Sequence, residues 1–260
     1  MTYETILYEK NEGVATITLN RPEVLNAINM KMHHEILEAL VNAERDRDVR
    51  VVVLTGKGRA FCAGADLKEL SKIFADPDGQ RAFYKNLPGT FDRLVNFPKP
   101  LIGAINGVAT AGGLELVLCC DIVIASEDAR IGDGHANYVG IGPLFCAIAP
   151  RKMGFIKAVE MALTGDIWTA SECEKAGLVN YVVPPDKLEV KVREIAAKLT
   201  GKMPLGSRAI KAVIKQTLEG GLDSALKVAY REQEALGYTK DHAEGMKAFA
   251  ENRKPVYTGE

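Results

Sequence analysis

Residues 100–121 read PLIGAINGVATAGGLELVLCCD, and the fold turns on how this stretch divides. Leu101 to Asn106 reads as a buried strand, Gly107 to Gly113 as a small-residue turn, and the rest as a short apolar helix with one acid, Glu115. A strand, a glycine turn and a helix start together point free backbone N–H groups into a cavity. Gly112 and Gly113 carry no side chain, so a ligand is expected to approach the backbone at both. Glu115 falls in the first helical turn, where the helix dipole favours a carboxylate. An electropositive backbone cradle beside a carboxylate suits chemistry in which negative charge grows on an oxygen while a proton moves nearby.

Working outward, Val49 to Thr55 (VRVVVLT) is a β-branched run expected of a strand covered on both faces. Gly56-Lys57-Gly58 follows, but Phe61 stands where a dinucleotide fingerprint needs its third glycine, so that reading fails. Asp66 and Glu69 make an acidic capping-box pattern, which starts a helix at about Leu67. Ala65 then offers a second free N–H just before a helix; the plain alternative is a packed helix start without a ligand. Downstream, Asp121 to Ser126 and Ala129 to Gly132 read as strands. This strand–helix alternation predicts an α/β core with parallel pairing.

Upstream, Thr5 to Tyr8 and Val14 to Leu19 form a predicted hairpin turning at Asn11-Glu12-Gly13. Asn29 is placed to cap a helix with an apolar face of Met32, Ile36, Leu37, Leu40 and Ala43. His33 and His34 on that helix read as surface or packing residues. One helix is expected over 80–96, closed by Pro98 and Pro100. Gly132 to Pro150 is glycine-rich and lacks Lys, Arg and Glu, as a pocket wall would. Helices are expected over 154–163, at Thr169/Glu172 up to Gly177, and at 186–201, 205–219, 222–236 and 240–252, with a strand at Leu178 to Val183. The composition shift near residue 200 divides an α/β core (1–200) from a helical C-terminal subdomain (201–260).

With 260 residues, 47% apolar and 26% charged, the chain is long enough for one large domain and ordinary in composition. A net charge of −1 gives no reason to expect nucleic acid as a partner. No run of about 18 strongly apolar residues is present, so no membrane span is expected. The N-terminus opens on a strand pattern without a leader, and the five cysteines match no metal spacing. Both point to reduced thiols in a cytoplasmic protein.

Four stretches taken together resemble the crotonase superfamily, the enoyl-CoA hydratase/isomerase family: LNRPEVLNAI (19–28), GRAFCAGADLKEL (58–70), INGVATAGGLELVLCCDIVIAS (105–126) and EGMKAFAENRKP (244–255). The resemblance spans almost the whole chain in the family's order. It implies a spiral of ββα units, C-terminal helices that drive homotrimers or homohexamers, and an acyl-CoA thioester substrate without a separate cofactor or metal. It places the thioester oxygen between the backbone N–H groups of Ala65 and Gly112. It assigns the backbone of Ala65, Ala63 and Leu67 to the adenine end, Lys68 to the neighbourhood of the nucleotide, Val24 and Leu25 to the pantetheine side, and Asp66 to the same CoA-binding set.

The catalytic acids depart from the family pattern. Hydratases of this kind use two glutamates, the first of which maps onto Glu115. The second falls on Gly134-His135, the usual PGxGG run is replaced by GPLFC, and Glu23 stands where many members have lysine. Three readings stay open. His135 is the second acid/base, suited by an unperturbed pKa of about 6.5; or Asp133 supplies the second carboxylate; or Glu115 acts alone, which suffices to move a double bond. A hydrogen-bonded wall histidine is the bland alternative for His135. The activities that fit are hydration of a 2-enoyl-CoA, then isomerisation, hydrolysis or decarboxylation of an acyl-CoA. A non-catalytic RNA-binding member is a reading of a different class.

Overall fold

Strand, strand and helix repeat along the first half of the chain, and after the first unit each repeat places its two strands in different sheets. A computed structural model describes residues 3–86 and 88–260. The first unit is the antiparallel hairpin β1 (Ile6–Asn11) and β2 (Val14–Leu19), followed by α1 (Met30–Arg45). The second is β3 (Val51–Gly56), β4 (Ala60–Cys62) and α2 (Leu67–Phe74), with α3 (Pro77–Asn86) and α4 (Pro88–Val95) inserted after it. The third is β5 (Leu101–Ile105), β6 (Val108–Thr110) and α5 (Gly112–Cys119). The fourth is β7 (Ile122–Ser126), β8 (Arg130–Gly132) and α6 (Pro143–Met153). There follow α7 (Phe155–Thr164), β9 (Ile167–Thr169), α8 (Ala170–Lys175), β10 (Tyr181–Val183) and α9 (Leu188–Thr200). The chain closes with α10 (Pro204–Glu219), α11 (Gly221–Gly237) and α12 (Lys240–Ala250).

Among the described residues the large sheet runs β1-β2-β3-β5-β7-β10 and the small one β4-β6-β8-β9. Every neighbour pair of the large sheet beyond the hairpin is parallel, as are β4–β6 and β6–β8. This is the α/β arrangement of ββα units that the resemblance implies, with helices following at the C-terminal end. β3 shows why the large sheet sits in the middle. Val52 and Leu54 pack into the core that holds α1 and α5, while Val51 and Val53 pack on Leu188, Val192 and Ile195 of α9. A strand buried on both faces must be apolar at every position, which is why VRVVVLT shows no alternation.

Several local expectations need correction. The stretch 107–113 is not all turn, because Val108–Thr110 pairs as β6 of the second sheet. Three-residue strands of this length leave almost no periodic signal, and β4 and β9 escaped notice for the same reason. In the region of the helix expected over 80–96, the described residues are helical over Pro77–Asn86 and Pro88–Val95, so helix begins three residues earlier than expected. The wall segment 132–150 is largely helical, with a 3-10 turn at Gly134–Asn137 and then α6. The strand placed at Leu178 begins at Tyr181, and the first hairpin strand runs to Asn11 rather than Tyr8. Asn29 caps α1 by accepting from Met32 N–H, and the Thr169–Glu172 box closes in both directions. At Asp66 only half of the box forms. Asp66 caps α2, but the Glu69 carboxylate turns away to accept from Met30 N–H. His33 is buried and His34 exposed, their rings meeting edge to face.

Candidate active site

The segment 19–28 is pinned by one buried amide. Asn26 donates from Nδ2 to the carbonyls of Lys57 and Ala60 and accepts at Oδ1 from Arg21 N–H. Leu25 and Asn26 both take positive φ, 55° and 56°, so the chain reverses tightly here. The reversed chain then runs alongside 63–66: Ala63 N–H donates to Leu25 O, Ile28 N–H to Gly64 O, and Asp66 N–H to Ile28 O. This parallel bridge between Ile28 and Ala65 uses the amides on either side of Ala65 and turns its own N–H the other way. Among the described residues the Ala65 N–H has no acceptor.

Gly112 reaches the same place from α5. Ala111, the residue before the helix, is held at φ 50° and ψ −120°, a strained conformation for a residue with a Cβ. It is locked at both ends: its N–H donates to Gly132 O, and its carbonyl accepts from Glu115 N–H. The Gly112 N–H, first of the helix, likewise has no acceptor among the described residues. A Cβ at Gly112 would lie 3.6 Å from the Ala65 nitrogen, so the two amides share one small space. Gly113 has a different purpose from the ligand approach expected of it. A Cβ there would run into Cys62, whose carbonyl carbon would be 2.8 Å away, so Gly113 lets α5 pack on β4.

Glu115 is one turn further along α5 and 5% exposed. Its Oε1 accepts from the N–H of Leu144 at 2.9 Å and of Phe145 at 3.3 Å. These are the second and third residues of α6, whose capping position, Gly142, has no side chain to offer. Glu115 is therefore the N-terminal cap of a helix 29 residues away in sequence. Burial pushes its carboxyl above the usual carboxylate range, against the opposing pull of the His135 charge and the two α6 amides.

Asp133 and His135 form a hydrogen-bonded pair through Oδ1 and Nδ1. Asp133 is almost wholly enclosed, and His135 is more open. Burial alone would lower the imidazole's pKa, but the Asp133 hydrogen bond and the charges of Asp133 and Glu115 raise it above the ordinary value. With Nδ1 given to Asp133, Nε2 is the ring nitrogen left for a ligand. Asp133 and His135 both bear on the titration of Glu115, and Asp133 and Glu115 on that of His135.

The remaining candidate residues lie on the Ala65 side. Val24 is exposed, Leu25 and Ala63 are half-buried, and Leu67 and Lys68 are exposed at the start of α2. The Asp66 carboxylate is already committed, to Arg21 at 2.9 Å and to the α2 amides, and sits below the usual range: burial opposes this, and Arg21 with those amides outweighs it.

The sequence model of the enoyl-CoA hydratase/isomerase family matches residues 9–260. The chain belongs to this family. Among curated members it is 36% identical to a "Probable enoyl-CoA hydratase" of Mycobacterium bovis, over 99% of each chain. It is 35% identical to the crotonyl-CoA hydratase of Syntrophomonas wolfei, over 98% of each. The crystal structure of enoyl-CoA hydratase from Bacillus anthracis superposes with a TM-score of 0.94 at 35% identity, covering 99% of this chain and 100% of that one. An enzyme of the hydratase/crotonase kind follows, and the non-catalytic reading falls away. Asn26, Ala111 and the α6 amides are the contributors to this family member's site that sequence reasoning missed. The asparagine in LNRPEVLNAI was visible as a motif residue, but no local signal linked it to the carbonyl of Ala60, 34 residues on.

Proposed function

We propose that the chain hydrates 2-enoyl-CoA thioesters. The observation that carries this reading is the pair of uncommitted amides, Ala65 N–H and Gly112 N–H, meeting beside a buried carboxylate. In this scheme the thioester oxygen lies between the two amides, which hold the negative charge that develops when oxygen adds at Cβ. Glu115 takes a proton from water through Oε2, the oxygen not bound to α6. His135, oriented by Asp133, supplies a proton to Cα, and the protonated Glu115 returns one to the imidazole. One water enters and no other reagent is needed, so the scheme requires no cofactor beyond the CoA of the substrate. Val24, Leu25, Ala63, Leu67 and Lys68 would line the CoA, while Asp66 would act indirectly by holding Arg21 and the α2 start.

The test is loss of the conjugated enoyl absorbance when the purified protein meets crotonyl-CoA and longer 2-enoyl-CoA esters. No turnover at any chain length would refute the hydratase assignment. One observation favours a second reading. Asp133 is bonded to His135, so an imidazole rather than a second carboxylate accompanies Glu115. Double-bond isomerisation needs only one proton carrier, and a 3-enoyl-CoA that gains conjugated absorbance would support it.

The C-terminal helices support a proposal about assembly. Ile210, Ile214 and Leu218 on α10, and Leu222, Leu226 and Tyr230 on α11, recur every four residues and are exposed. Such stripes on helices call for burial against other surfaces. We take 201–260 as an oligomerisation subdomain and the protein as a homotrimer or homohexamer, working in the cytoplasm on acyl-CoA metabolites such as those of fatty acids. Sedimentation equilibrium reads the assembly directly, and a monomer would overturn it.

A further inference from the structure

Gly142 stands between the two halves of the proton-handling group. A Cβ built on it would lie 2.5 Å from His135 Nδ1, 2.9 Å from Asp133 Oδ1 and 3.0 Å from His135 Cε1. The first two are the very atoms that form the carboxylate–imidazole hydrogen bond. Gly142 has φ −93° and ψ 100°, an ordinary extended backbone open to any residue. No conformational reason for glycine exists here; the reason is contact. The same residue is the capping position of α6, where Ser, Thr, Asp or Asn is favoured because its side chain accepts from the second or third N–H of the helix. Any of these would collide with the Asp133–His135 pair. Any would also compete for the Leu144 and Phe145 amides that hold Glu115 Oε1.

We propose that Gly142 is a positioning residue that sets His135 and Glu115 in register, by leaving room for the Asp133–His135 bond and by leaving the α6 amides to Glu115. It touches no reacting atom and acts through those three side chains. The proposal rests on the acid/base roles given above. It extends them by making one backbone position responsible for both groups.

Gly142→Ala adds the obstructing methyl alone, and Gly142→Ser adds a competing cap as well. Displacements of this size are expected to lower kcat by about 10- to 100-fold, with the serine variant the worse, while KM for the acyl-CoA changes little. The imidazole titration of His135, followed by NMR, provides a readout that needs no turnover. In Gly142→Ala its pKa should fall towards the free value of about 6.5, because the Asp133 bond is lost. The charged groups bearing on His135 are Asp133 and Glu115, so Glu115→Gln controls for the second. A double-mutant cycle with His135→Ala completes the test. Once the ring is gone, alanine at 142 should cost much less. An equal cost in both backgrounds overturns the proposal, as does a wild-type titration and kcat in Gly142→Ala. Should Gly142→Ala fail to fold, recovery of folding in the double variant supports it, and continued failure overturns it. If the wild type hydrates nothing yet its His135 titration moves in Gly142→Ala, the hydratase reading fails and the positioning role stands.

Discussion

Ala65 and Gly112 are aimed by backbone pairing, whereas Asp133 and His135 are aimed by each other and Glu115 by the first turn of α6. The amide side is fixed by the Ile28 bridge, by Asn26 and by the two bonds that lock Ala111. No side chain there needs to be any particular acid or base. The opposite side is a set of charged side chains and a helix end, and the charge of each neighbour bears on Glu115 and His135. A cradle of main-chain donors tolerates sequence change around it and serves any thioester that gathers charge on oxygen. A network of side chains specifies which proton moves. The family's common chemistry is expected on the first side and this chain's individuality on the second, where its sequence departs from the usual pair of glutamates.

The largest expected effect comes from the junction of the two sides. Glu115→Gln keeps an oxygen for the Leu144 and Phe145 amides but loses the proton carrier. Turnover should fall about 10²- to 10⁴-fold, with acyl-CoA binding by calorimetry nearly unchanged. A comparable loss of binding would contradict the assignment. Next comes a glycine pair that separates chemistry from packing. Gly112→Ala puts a methyl in ordinary contact, 3.6 Å from the Ala65 nitrogen, so the thermal midpoint should hold while kcat falls about 10²-fold as the cradle is obstructed. Gly113→Ala instead drives α5 off β4 and should show as lost stability, by about 1–3 kcal/mol in denaturant titrations. If the two variants behave alike, the distinction between the glycines is wrong.

On the backbone-aimed side, Asn26→Ala leaves the Lys57 and Ala60 carbonyls without their donor. About 1–3 kcal/mol of stability should go, and activity should fall through disorder of the Ala65 loop. On the side-chain-aimed side the signature is pH. His135 has a folded-state pKa above its unfolded one, so its contribution to stability is full below about pH 6.5 and fades as pH rises through the folded value. Urea midpoints of wild type and His135→Gln should therefore differ more at about pH 6 than at about pH 9; an unchanged gap would remove the coupling to Asp133. The smallest effect belongs to Lys68→Ala. An exposed charge at the end proposed for CoA should change KM by no more than about fivefold and leave kcat alone.

The same division explains what could be read from the chain alone. The 101–119 strand and helix, the parallel core, the Asn29 and Thr169 caps and the C-terminal helices all have local signals: runs of apolar residues, capping patterns, glycine stops. The convergence of Ala65 with Gly112 was legible only through motifs, because no local rule brings together residues 47 apart. The α6 region resisted most. A helix normally announces its start with a capping side chain, and α6 begins with Gly142-Pro143, its cap supplied by Glu115 from another element. Gly113 misled for the converse reason: a glycine that permits close packing looks, in sequence, the same as one that admits a ligand.

That borrowed cap ties two traits into one. On the proposed reading, with the acyl pocket walled in part by the link from 138 to 142, that link is the natural place to lengthen or shorten for a bulkier acyl chain. Any such change would shift the start of α6 and swing the carboxylate fastened to it. Selectivity for the acyl group and the geometry of proton delivery would then drift together, and a redesigned pocket would have to re-aim its acid in the same step.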